Sequence, residues 1–152
     1  MVKASTLPRA LVLVAVSTLM AGCAGKASDH PIGWQREVVA GQAQWTHGTQ
    51  SYERRTMPFS ESPRDLSTQE ALGVIIRHPG AHLLATVPYP PCPGMAGVLK
   101  FRLPGSSAQL LDLGFVVRGR HAILVEYRRP SGTPFAAAVK RAFTSVLCRA
   151  PL

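Results

Sequence analysis

The chain has 152 residues, a formal net charge of +9 and a composition that is 46% hydrophobic but only 16% charged. That length is the size of one modest domain rather than several. Arginine supplies most of the positive charge, and an Arg-, Ala- and Pro-rich composition is also what a GC-rich genome produces. The basicity therefore permits contact with anionic headgroups or other polyanions without specifying one.

The first residues have three parts. Lys3 and Arg9 form a basic start, residues 10–21 are an uncharged apolar run, and Ala21-Gly22-Cys23 closes it with small residues. At about 1.5 Å rise per residue the run is too short to cross a hydrocarbon core of about 30 Å comfortably, and it suits the core of a signal peptide. The segment Leu19-Met20-Ala21-Gly22-Cys23 resembles the lipobox of bacterial lipoproteins, with Met20 where the family usually has Leu. The resemblance implies that residues 1–22 are removed and that Cys23 becomes the N-terminus. Its sulfur then carries a diacylglyceryl group and its amine an acyl chain such as palmitate. It also implies a periplasm-facing, lipid-anchored protein of the cell envelope, and Ala24 in place of Asp points to the outer rather than the inner membrane. An ordinary secretory leader with an incidental cysteine and a permanent membrane helix are the two other readings. Lipid on Cys23 makes the membrane itself a partner, and export makes nucleic acid an unexpected one.

Two cysteines remain, Cys92 and Cys148. In an oxidising compartment an even pair in a small exported domain is most simply a disulfide. The loop it closes is about 55 residues long, for which chain entropy predicts about 4 kcal/mol. Two buried, unpaired thiols are the alternative. No Cys-x-x-Cys motif marks a redox pair.

Residues 23–33 read as a flexible tether with little capacity to pack, and residues 34–152 as a single domain. Two strands open the domain, at 37–45 and 50–59, with a turn at His47-Gly48-Thr49. Ser67 and Glu70 form a capping box that predicts a helix start, with Ala71, Leu72 and Ile75 as its apolar stripe and Pro79-Gly80 as its stop. Strands follow at 82–87, 97–103, 109–117 and 121–127, the last two joined as a hairpin through Arg118-Gly119-Arg120. Thr133 as cap and Pro134 at the first helical position predict a closing helix to Leu147. Its stripe is Phe135, Val139, Ala142 and Val146.

The order β-β-α-β-β-β-β-α predicts an α+β fold, an antiparallel sheet of about six strands covered by two helices. By element order alone it is similar to the PsbP-like superfamily, a likeness that carries no site residue.

Chemistry-bearing motifs are sparse. His78 and His82 stand at helical spacing, but Pro79-Gly80 interrupts them, and no histidine cluster demands a metal. No nucleophile motif, paired carboxylates or phosphate loop occurs, so neither catalysis nor a cofactor is expected. The Pro-rich loop at residues 89–94 offers Tyr89 as an aromatic face for a partner, or is a stiff strand connection. Arg118, Arg120, Arg128 and Arg129, at the ends of one hairpin, form a candidate anionic contact or a solvated edge. These features favour a non-enzymatic binding or assembly module over an enzyme, with small-ligand or lipid carriage as the alternative; an envelope protein is a possible further partner.

Overall fold

A computed structural model describes residues 27–149, apart from Pro93 and Met95. The leader and Cys23 lie outside the described residues. The elements are β1 (Gln35–Val39), β2 (Gln42–His47), β3 (Gln50–Pro58), α1 (Pro63–Arg77), β4 (His82–Pro88), β5 (Ala96–Leu103), β6 (Gln109–Arg118), β7 (His121–Pro130) and α2 (Ala137–Leu147). All strands pair antiparallel in one 7-stranded sheet, ordered β1-β2-β3-β7-β6-β5-β4. The class is α+β, as the sequence predicts.

The additional strand comes from a turn inside the first predicted one. Ala40 and Gly41 both take positive φ, 49° and 80°, and Val39 pairs with Gln42 across them. This is the two-residue hairpin geometry whose twist matches that of the strands. Alanine seldom adopts that conformation, so Ala-Gly carries little turn signal.

Strand alternation divides the side chains between two faces, and one helix covers each. On the α2 face, Tyr52, Val98, Val116, Val125 and Tyr127 pack against Val139, Phe143, Val146 and Leu147. On the α1 face, Leu99, Phe101, Leu111, Leu113, Phe115 and Leu124 pack against Leu66 and Val74. Gly114 seats α2 on the sheet, because a Cβ there would meet Leu147 and Val125 at 2.8 Å and Phe143 at 3.0 Å.

Both helix starts differ from the sequence reading. Helix α1 begins a turn earlier than predicted, with Ser62 as cap and Pro63 at its start. The Asp65 amide donates to Ser62 Oγ at 3.2 Å, and the Ser62 amide donates to Asp65 Oδ2 at 3.2 Å. Proline's fixed φ suits the first helical position, which favours this box over the one at Ser67. Glu70 is instead buried and paired with Arg55. The face of α1 turns accordingly: Leu66, Glu70 and Val74 are buried, whereas Leu72, Ile75 and Ile76 are exposed, Ile76 to 75%.

Helix α2 begins at Ala137, and Thr133 does not cap it. The Thr133 carbonyl accepts from Arg129 Nη1 at 2.7 Å, and the Ala136 amide donates to Tyr127 Oη at 3.3 Å. A phenol on the sheet thus satisfies an amide near the helix start in place of a side-chain cap.

The segment read as a tether packs on the α2 face from Asp29 onward. Tyr52 Oη donates to the Asp29 carbonyl at 2.8 Å, Arg54 pairs with the Asp29 carboxylate, and the His30 ring stacks on Trp45 at 5.1 Å. Pro31 is buried. Packing therefore starts before Gly33, at Asp29.

Candidate functional site

On the α2 face, the loop after β4 and the first turns of α2 stand apart over β5 and β6. The cleft between them measures about 590 Å³, within the size range of small-ligand sites. Val87, Tyr89, Val98, Phe135 and Phe143 wall it, while Lys100, Asp112 and Lys140 supply its charged groups.

Each wall is fixed by local chemistry. Cys92 and Cys148 are disulfide-bonded, their Cα atoms 5.4 Å apart, which pins the proline loop to the end of α2. The Tyr89 hydroxyl and Thr144 Oγ1 share a hydrogen bond of 2.8 Å, a second tie between the same two elements. The Tyr89 amide donates to the Ala96 carbonyl at 2.9 Å, closing the loop base. Phe135 is held edge-on between Tyr127 and Phe143, with ring centroids 4.8 and 5.3 Å away.

Asp112 is the unusual group. It sits on β6 with 2% exposure, opposite Lys100 on β5 and Tyr127 on β7. Arg129 Nη2 donates to its Oδ2 at 3.1 Å, while the guanidinium lies 5.8 and 5.7 Å from the Tyr127 and Phe135 ring centres. Burial raises the Asp112 pKa above the ordinary carboxylate value, and outweighs the opposing pull of Arg129 and Lys100. Burial likewise raises the Tyr89 phenol, against its bond to Thr144. Lys100 and Lys140 are exposed. The arrangement offers apolar walls, a neutralised floor and cationic residues exposed to water. It suits a ligand with an apolar body and an anionic end.

The residues singled out from the sequence fare differently. Cys23 lies outside the described residues. Cys92 and Cys148 form the disulfide. Tyr89 is 7% exposed and faces α2, so its ring is a cleft wall and core residue rather than a surface for a partner. The four arginines are not brought together. Arg118 and Arg120 flank the hairpin turn, and Arg128 and Arg129 sit at the other end of β7, about 25 Å away at about 3.3 Å per residue. Arg118 Nη2 donates to the Val146 carbonyl at 2.8 Å, filling an acceptor in the last turn of α2. Arg120 is exposed. Arg128 and Arg129 are neighbours on one strand and so point to opposite faces.

On the α1 face Arg128 joins a second ionic group. Arg55, Arg77 and Arg128 each approach the Glu126 carboxylate at 3.5 Å, and Arg55 also holds Glu70. Burial raises the pKa of Glu53 beside them, with Glu126 adding to the shift. This lattice joins α1 to β3 and β7 and leaves Glu70 neutralised beneath the helix. No group of histidines, cysteines and carboxylates suited to a metal occurs among the described residues.

Sequence reasoning missed Asp112, Lys100, Lys140 and the Phe135 wall. Asp112 gives the one available signal, a lone acid within the otherwise apolar interior of strand β6, between Leu110 and Val117. Compared with protein-family models and with curated proteins, the chain matches none.

Proposed function

We propose that the chain is a cell-envelope lipoprotein, anchored through lipid on Cys23 and facing the periplasm. In this reading it is a non-enzymatic binding module, and its site is the cleft between the proline loop and α2. The cleft's apolar walls around Lys100, Lys140 and the buried Asp112 carry the proposal. They favour an apolar or amphiphilic small ligand over a flat protein contact, which is the carrier form of a binding module. The anchor rests on the Leu19–Cys23 lipobox. No helix among the described residues is long and apolar enough to cross a membrane. Outer-membrane residence is part of the same proposal, drawn from Ala24.

Saturable binding of a fluorescent fatty-acid analogue tests the site. Val87 lies on the edge strand β4 and lines the cleft, so Val87→Trp fills it without disturbing a central strand. Wild type is expected to bind at one site, and Val87→Trp to lose most of that affinity with an unchanged circular-dichroism melt. Equal binding by both proteins, or none by wild type, removes the cleft as the binding site.

A further inference from the structure

The charged side chains divide unevenly between the faces. Asp29 and Asp112 are the carboxylates on the α2 face, and both are tied to arginines, Arg54 and Arg129. The register directs Glu37, Glu53 and Glu126 to the α1 face, Glu70 lies beneath α1, and Glu61 and Asp65 stand at its start. Arg36, Lys100, Arg102, Lys140, Arg141 and Arg149 are exposed in the α2 layer. Among the described residues, Asp112 is buried on that face and the partly exposed Asp29 carboxylate is paired with Arg54, so no unpaired carboxylate opposes them there. Ile32 and Val38, 64% and 63% exposed, lie on the same side, since Val38 shares the face of Arg36 and Trp45.

Chain length sets a second constraint. Asp29 is the first residue tied to the sheet, and it is held on the α2 face by Tyr52 and Arg54. Just ahead of it, Ala27 and Ser28 border a cleft of about 670 Å³ whose other wall is Ala137, Ala138 and Arg141 of α2. The spacer from Cys23 to Asp29 reaches at most about 20 Å when fully extended. A sheet with a helix layer on each side is about 30 Å thick. A leash of that length, entering on the α2 face, cannot pass around the domain to lay the α1 face on the membrane.

We infer that the α2 face lies against the bilayer that carries the anchor, with Arg36, Lys140 and Arg141 meeting phosphate-bearing lipid headgroups and Ile32 and Val38 entering the interface. The occupant is the anionic bilayer surface. Clustered cations near an anionic leaflet gain about fivefold in partitioning per residue. The exposed residues Lys100 and Lys140 of the ligand cleft belong to this same face, which brings the cleft to the lipid. The orientation rests on the proposed lipid on Cys23.

The test uses the acylated mature protein reconstituted in vesicles of phosphatidylethanolamine and phosphatidylglycerol. Nitroxide labels are placed singly by Ile32→Cys, Arg141→Cys and Ile76→Cys. Labels at 32 and 141 are expected to be several-fold less accessible than the label at 76 to a water-soluble nickel relaxant. Replacing phosphatidylglycerol by phosphatidylcholine, or adding high salt, is expected to raise accessibility at 141, because headgroup attraction is screened. Protein that sediments with the vesicles yet shows equal accessibility at all three positions overturns the orientation and leaves the anchor standing. Protein lacking acyl mass on Cys23 overturns both.

Discussion

Removing the disulfide by Cys92→Ser with Cys148→Ser perturbs stability and the cleft together. The bond closes a loop of 56 residues in sequence separation. Chain entropy assigns such a loop about 4 kcal/mol, most of it through the unfolded state. With a urea m-value of about 2 kcal/mol/M, the midpoint should fall by about 2 M. The folded state retains the Tyr89–Thr144 hydrogen bond between loop and helix. Fatty-acid affinity of the double variant should therefore drop several-fold rather than vanish, and adding Tyr89→Phe should lower it further. Urea unfolding by tryptophan fluorescence, with thiols counted in wild type before and after reduction, provides the measurement. Equal midpoints for wild type and the double variant would refute the reasoning. Unchanged affinity in the triple variant would show that the loop's position does not depend on these ties.

Asp112→Ala should cost about 2 kcal/mol, because it leaves the partly buried Arg129 guanidinium without its carboxylate; Arg129→Met in the same background should recover part of that loss in a double-mutant cycle. Asp112 also has a signed pH effect. Its folded pKa is raised above the unfolded value of 3.8, so its stabilising contribution is complete below that value and is lost as pH rises through the folded pKa. Wild type should therefore lose stability relative to Asp112→Asn as pH rises above the unfolded carboxylate value of 3.8; a constant gap in urea midpoints contradicts this. On α1, Val74→Ala should cost about 2 kcal/mol and Ile76→Gln less than about 0.5 kcal/mol. The reverse order in thermal melts would restore the helix face that the sequence alone suggests.

The fold was legible where periodicity is strong. In β6 and β7 the alternation of Leu111, Leu113 and Phe115 with Asp112, Gly114 and Val116 reports both faces and the hairpin between the strands. Val139, Ala142 and Val146 of the predicted stripe likewise identify α2, because all three are buried in the core on that face of the sheet. Helix α1 was harder to orient. Its apolar residues Leu72, Ile75 and Ile76 face outward, while a charged Glu70 faces inward on the strength of Arg55, a partner from a distant strand that a local pattern cannot reveal. The Ala40-Gly41 turn was hidden for a different reason, since its signal depends on a conformation alanine rarely takes. The cleft was legible only in fragments. Cys92 and Cys148 report that loop and helix meet, but Lys100, Asp112 and Lys140 come together through strand register and helix placement, which no spacing along the chain encodes.

The proposed lipid on Cys23 underlies both the proposed location and the proposed orientation at the membrane. Its most direct test is metabolic labelling with an alkyne-bearing palmitate analogue, followed by mass spectrometry of the N-terminal peptide. A mature chain beginning at Cys23, carrying acyl mass and the alkyne label, is the expected result, and Cys23→Ser should abolish the label. A mature N-terminus elsewhere, or an unmodified Cys23, would contradict it.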